Sequence, residues 1–307
     1  TNVGAGSGDI QPTIISGARG LWGGGYISSV NVNVIEYITI ATLGNGTDFG
    51  DLTEARRNMG SCSSSTRGIW AGGHGASIVN TIDYVTIATP GNATDFGDTH
   101  QTRRRMSGAA NGIRGIFSGG DTSTNNQGQV NKIDYVTIAS AGNAVDFGDL
   151  TAARQGTSST SNLTYGTIQG GYNNAGSGYY DTIERVTIAT TGNATDFGDM
   201  TTGYDTTSAT FSATRGIIGG GERSGYVNVI QYYTIATLGN AIDFGDLTAA
   251  RSNAGGVTNE TRGCFGGGYP MVNIIDYITI ATPGNAVDFG DLTAVKSEWN
   301  GIQPSGD

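Results

Sequence analysis

The stretch Ile82-Asp83-Tyr84-Val85-Thr86-Ile87-Ala88-Thr89-Pro90-Gly91-Asn92-Ala93-Thr94-Asp95-Phe96-Gly97-Asp98 decides the fold. Its first half alternates with period two: Ile82, Tyr84, Thr86 and Ala88 fall on one side, Asp83, Val85 and Ile87 on the other. β-branched and aromatic residues on both faces suit a strand packed between neighbouring sheets. Pro90-Gly91-Asn92 is a turn signal, and the residues around Phe96 read as the next strand. The segment Asp-Phe-Gly-Asp recurs with its Phe at Phe49, Phe96, Phe147, Phe197, Phe244 and Phe289, at intervals of 47, 51, 50, 47 and 45 residues. Such a period suits a four-stranded propeller blade and exceeds one coil of a typical β-helix. The 52 glycines recur in register with it, so they mark architecture and not low complexity.

Upstream in the same unit, Arg57 to Ser65 and Arg67 to Gly73 read as two further strands, which makes four per unit. Gly and Thr interrupt every candidate helical window. The sequence therefore predicts an all-β, six-bladed β-propeller of four antiparallel strands per blade. It forms a single domain with blades at about 10–55, 56–102, 103–153, 154–203, 204–250 and 251–295, and a closing or attachment strand at 296–307. Ring closure is ambiguous at this stage. By offset from Arg19, residues 10–17 are the first strand of blade one; by offset from Lys296, residues 298–305 are a second copy of it. Either the C-terminal segment completes blade one, or the spare strand pairs elsewhere and serves for attachment, since a free edge strand invites a partner.

The repeats resemble the kelch repeat. Gly-Gly pairs stand at 24–25, 72–73, 119–120, 170–171, 220–221 and 267–268, and each is followed by a motif such as Ile82-Asp83-Tyr84 or Ile183-Glu184-Arg185. Phe takes the place of the usual later Trp, and the order of acid and Tyr is inverted, so the likeness is to a kelch-like relative. The string running from Ile275-Asp276-Tyr277 through Asp288-Phe289-Gly290-Asp291 is similar to repeats in virion structural proteins of tailed phages, notably cyanophages. That resemblance implies a tail-fibre, baseplate or capsid-associated protein in the extracellular particle, present in multiple copies beside other virion proteins. It implies no chemistry.

Spacing separates scaffold from variable surface. Tyr37 to Phe49 is 12 residues and Phe49 to Arg56 is seven, and both intervals hold in all six units, with Arg185, Tyr204 and Lys296 as substitutes. Only the interval from the second glycine to the following Ile changes: 10, 9, 13, 12, 9 and 7 residues along the chain. All length freedom thus sits between the second and third strands. In an antiparallel meander those connections share one face of the disc with the connections between blades. A rigid scaffold with one adaptable loop per blade on one face is a common design for recognition. The loop segments YISSVNV, HGASIV, DTSTNNQGQV, YNNAGSGYY, ERSGYV and YPMV are dominated by Tyr, Ser, Gly and Asn, as in antibody loops. Candidate contacts are Tyr26, His74, Asp121, Tyr172, Tyr179, Tyr180, Glu222, Arg223, Tyr226 and Tyr269. The bland alternative is that surface loops drift in length under weak constraint.

Charge and motifs narrow the function further. A net charge of -10 disfavours nucleic acid and anionic membrane surfaces, both of which need a cationic footprint. No run of about 20 apolar residues offers a membrane span, and the chain is expected to be soluble. It starts at Thr1, which fits a removed leader or a piece of a longer protein. The two histidines, His74 and His100, are too few for most metal triads, and neither a nucleophile elbow nor a phosphate loop is present. A glycosidase needs only two carboxylates, which leaves Asp121 and Glu222 as an enzymatic alternative, although units that stay alike outside their loops argue against an active site. The expectation is a non-enzymatic chain with no cofactor, presenting its loop face to a host-surface glycan or protein. A purely architectural virion role is the alternative. The acid pairs Asp48/Asp51, Asp95/Asp98, Asp146/Asp149, Asp196/Asp199, Asp243/Asp246 and Asp288/Asp291 offer calcium ligands as a minor reading. Arginines opening the second strand (Arg19, Arg67, Arg114, Arg215, Arg262) and the first (Arg56, Arg103, Arg154, Arg251) are expected to pair with repeated acids of neighbouring units. An anion-binding ring in the channel is the other reading. Cys62 and Cys264 read as isolated buried thiols, with a disulfide as the alternative.

Overall fold

Each repeat forms a four-stranded antiparallel meander in the computed structural model, which describes residues 19–175, 178–298 and 300–302. Blade two shows the pattern, with strands Gly60–Ser63, Arg67–Ala71, Thr81–Thr86 and Thr94–Asp98 lying side by side in chain order. Ile69 pairs with Tyr84 across the middle of the sheet, and Ile82 pairs with Gly97. The equivalent third strands of the next four blades are Lys132–Thr137, Thr182–Thr187, Val229–Thr234 and Val272–Thr279. No helix occurs among the described residues.

The C-terminal segment closes the ring. Blade one consists of Asn300–Ile302, Arg19–Gly23, Val34–Thr39 and Thr47–Asp51, with Leu21 opposite Ile302 and Trp22 opposite Gly301. The slot for a first strand in blade one is therefore filled from residues 300–302. The N-terminal copy at 10–17 lies outside the described residues.

Apolar residues on both faces of every blade produce not one core but six, each between two blades. Ile82 and Phe96 of blade two, for example, pack with Phe117 and Val136 of blade three. The constant Tyr-to-Phe interval also has a structural cause. The two rings meet edge-to-face within a blade, as Tyr84 and Phe96 do at 5.9 Å, a favoured aromatic geometry.

The invariant motifs are latches between blades. On the outer rim, Asn92 of the Gly-Asn turn in blade two accepts a hydrogen bond from the Asp51 backbone N–H at 3.1 Å, and Ala93 N–H donates to Asp51 O at 2.7 Å. Gly50 must be glycine there: its φ is 146°, and a Cβ would stand 2.4 Å from Gly91 O. The Asn-to-Asp bond repeats at all six junctions, from Asn143 with Asp98 round to Asn45 with Asp291. Asp-Phe-Gly-Asp and Gly-Asn are thus two halves of one joint, each half supplied by a different blade. The joint also covers the exposed edge of every outer strand, where aggregation would otherwise begin.

A second, buried clamp acts nearer the axis. Asp83 accepts from Thr53 N–H at 3.0 Å and from Thr53 Oγ1 at 2.7 Å, and pairs with Arg56 at 2.8 Å. The chain leaving blade one is thereby fixed to blade two. Arg103 with Asp134, Arg154 with Glu184 and Arg251 with Asp276 repeat the pair, and Lys296 with Glu36 at 2.7 Å closes blade six onto blade one. The expected Arg–acid pairing holds for this set, with the acid coming from the Ile-Asp/Glu motif.

The other arginines correct that expectation. Arg67 donates to Ile138 O and Ala139 O of the next blade at 3.0 and 2.8 Å, and lies 4.7 Å over its own blade's Tyr84. Arg19, Arg114, Arg215 and Arg262 behave alike. Their partners are backbone carbonyls and not carboxylates, because the adjoining third strand ends there with free C=O groups.

Candidate functional site

The first strands of the six blades line the axis. Their hydroxyls surround a polar cavity of about 70 Å³ among Ser61, Ser107, Ser159 and Ser208, and Ser159 donates to Ser107 at 2.6 Å. Cys62, on a first strand, packs into the core between blades two and three, while Cys264 sits in a second strand, and both are free, buried thiols. Burial raises the Cys264 thiol to about 12 and pushes Cys62 up as well, so neither is a reactive thiolate.

At one end of the cavity the connections between blades form a closed ring of backbone hydrogen bonds. Asn58 N–H donates to Glu298 O, Arg105 to Asn58, Gly156 to Arg105, Thr206 to Gly156, Asn253 to Thr206 and Glu298 to Asn253, at 2.7–3.3 Å. All six have left-handed φ between 53° and 66°. The constant interval from Phe to the next unit hides this feature, because residue types at these positions vary freely. The ring offsets the strain of placing Arg, Thr and Glu in that conformation.

The variable loops rise around this ring. Each begins with a residue bridged through its backbone to the residue preceding a ring member: Tyr26 with Ser297, His74 with Arg57, Asp121 with Arg104, Tyr172 with Gln155, Glu222 with Asp205, and Tyr269 with Ser252. Six of the expected contact residues therefore occupy equivalent positions at the loop roots. Tyr26–Ile27 with Val30–Asn31, and Tyr172–Asn173 with Gly178–Tyr179, fold into short ribbons.

The structure separates these residues by role. Asp121 corrects the expectation of a surface contact: it is 0% exposed, pairs with Arg104, and its Oδ1 accepts from Ser123 N–H, Ser123 Oγ and Gly128 N–H. It organises the longest loop from within, as Asp does in turns. His74 is half-buried amid Arg57, Arg104 and Arg105; burial first, and these cations next, hold its imidazole below the usual value. Arg57 also lies 3.9 Å over the Tyr26 ring and pairs with Glu298 at 3.2 Å. Tyr180 is half-buried under the Arg154 guanidinium at 5.4 Å.

The remaining residues converge on blades four to six. Tyr172 and Tyr179 meet at a tilt, with ring centroids 5.1 Å apart and planes inclined by 56°, while Tyr226 and Tyr269 meet edge-to-face at 5.4 Å across two blades. Glu222 lies between the pairs: after burial, its charge is the largest influence raising both the Tyr179 and Tyr226 phenols. Asp205 and exposed Arg223 act on Tyr179 as well. Burial lifts the Asp205 carboxyl to about 7, against the opposing effect of Arg105 and the Thr206 N–H.

The repeated acid pairs sit on the outer strands, where the second Asp gives its backbone to the rim joint. Among the described residues no three His, Cys, Asp or Glu side chains converge as a metal ion requires. No protein-family model matches the chain, and a search of the curated proteins finds no match either. The kelch and virion likenesses accordingly rest on the repeat motifs alone.

Proposed function

We propose that this chain is a kelch-like structural component of a tailed-phage virion, presenting its loop face for recognition of a host-surface glycan or protein. The observation that carries the reading is the division of labour within the repeat. The Asp-Phe-Gly-Asp, Gly-Asn, Ile-Asp/Glu and Arg motifs are occupied in joining blade to blade, whereas every length change falls in a loop on one face, rooted beside the channel ring. Rigid roots hold Tyr-, Ser- and Asn-rich tips in place, which lowers the ordering cost of binding. A binding role is favoured over catalysis because Asp121, one of the two loop acids, is consumed inside its own loop. Partners on this reading are other virion proteins and the host surface, with the chain present in several copies and needing no cofactor.

The test is incubation of the purified chain with intact candidate host cells and with glycan and protein arrays, with and without calcium. Saturable binding that persists in chelator supports the proposal. No binding under any condition replaces it with the architectural role, in which the propeller decorates or cements the particle.

A further inference from the structure

The loop face is chemically polarised. On one side, Arg57, Arg104 and Arg105 gather around His74. On the other, four tyrosines form a row over blades four to six: Tyr172, Tyr179, then Tyr226 and Tyr269, with Glu222 between the pairs. All four are at least partly exposed, and Tyr269 is 43% exposed. Aromatic residues gathered this way on a water-facing surface mark a site of interaction, because singly scattered ones need no explanation but clusters do.

We infer that this row is a saccharide subsite, taking a neutral oligosaccharide whose apolar C–H faces lie on the tyrosine rings while Glu222 accepts hydrogen bonds from its hydroxyls. The inference rests on the recognition reading and narrows it to one half of the face and one ligand class. Three features support it. Tyr rings are amphipathic and rigid, so each offers a flat apolar surface and a phenol at little entropic cost. The rings are already held against one another, and Tyr172 and Tyr179 sit opposite each other in a ribbon, so the platform exists before the ligand arrives. Charge along the row is close to balance, with the Glu222 carboxylate beside the Arg223 guanidinium. Balance disfavours a strongly cationic guest, which aromatic rings would otherwise attract, and equally a sulfated or uronic one.

The experiment uses the full chain on immobilised neutral glucose-, galactose- and mannose-based oligosaccharides, cationic chitosan oligomers, and sulfated or uronic oligosaccharides. Variants are Tyr226→Ala with Tyr269→Ala, Glu222→Gln, and Arg105→Ala; Leu238→Ser on the opposite face serves as the unaffected control. Circular dichroism verifies folding of each. The inference predicts binding to a neutral probe that weakens about tenfold or more in the double tyrosine variant and falls in Glu222→Gln. Arg105→Ala and Leu238→Ser should leave it unchanged. Binding confined to chitosan, or to acidic probes and lost in Arg105→Ala, overturns the inference while leaving the face a recognition surface. The same holds if the chain binds cells or proteins but no saccharide. Binding to nothing at all overturns both.

Discussion

Arg185 holds its guanidinium 4.3 Å over the ring of Tyr165, the reverse of the arrangement in the other five blades. There the Arg stands on the second strand and the Tyr on the third, as Arg67 stands over Tyr84. The swap preserves the contact but withdraws the arginine that would reach the carbonyls of blade five. At the same junction Tyr204 and Gln231 replace the buried Arg–acid clamp, and Gln231 accepts from Thr201 N–H at 2.7 Å. Tyr233 of blade five takes over, its hydroxyl within 2.8 Å of Thr160, 2.6 Å of Thr167 and 3.2 Å of Gln169 in blade four. The buried ion pair has left this junction as a matched pair, and hydroxyls have replaced it.

The swapped pair predicts a strong coupling. Tyr165→Arg alone places two cations together and should cost about 1–2 kcal/mol. Adding Arg185→Tyr restores the common arrangement and should return stability to within about 0.5 kcal/mol of the parent. Urea unfolding of the four proteins closes the cycle; additive effects would show that the two residues act independently.

The buried clamp should behave in the same way. Glu184→Gln leaves the Arg154 charge without its carboxylate, which costs about 3–5 kcal/mol in comparable buried pairs. Adding Arg154→Tyr copies the pair found naturally as Tyr204 and Gln231, and should recover most of the loss. A double variant no better than the single one would contradict the clamp's modular nature.

Glycine at the rim joint is a steric requirement. Gly97→Ala puts a Cβ 2.6 Å from Gly142 O at a φ of 141°, and should destabilise by roughly 2–4 kcal/mol. Asn143→Ala removes only the side-chain bond to Asp98 N–H and should cost about 1 kcal/mol. Thermal unfolding ranks the two; the reverse order would refute the steric account.

Asp205 gives the chain a pH dependence of known sign. Its carboxyl is raised to about 7 by burial, so the folded state holds a proton that the unfolded chain releases near pH ~4. Stability therefore falls as pH rises from about 4 through 7. Asp205→Asn should leave stability at pH 4 unchanged and raise it at pH 8 by up to about 4 kcal/mol. Equal effects at both pH values would show that the carboxylate is not held against its charge.

The six-bladed, four-stranded fold was readable because one repeated pattern, Ile82 through Asp98, carries strand, turn and strand together. The face bearing the loops was readable too, since antiparallel alternation places them there without further information. Interfaces were not. The partner of the Phe96 motif is a turn about 45 residues away, and nothing local in Asp98 announces that its N–H meets Asn143. Arg67 looked like a cation awaiting an acid, but strand ends supply carbonyls just as well. Asp121 was misread because an acid that caps its own turn and an acid that faces a ligand look alike in sequence. The hydrogen-bonded ring at Asn58, Arg105, Gly156, Thr206, Asn253 and Glu298 left no compositional trace, being made by the backbone.

The most direct measurement is cell and glycan-array binding by a variant whose six loop tips are shortened to Gly-Ser links beyond the bridged root residues. Because the latches lie elsewhere, the variant should keep the parent's circular dichroism and a thermal midpoint within a few degrees of it, yet lose binding. Retained binding by a folded variant would contradict the account and move recognition off the loop face.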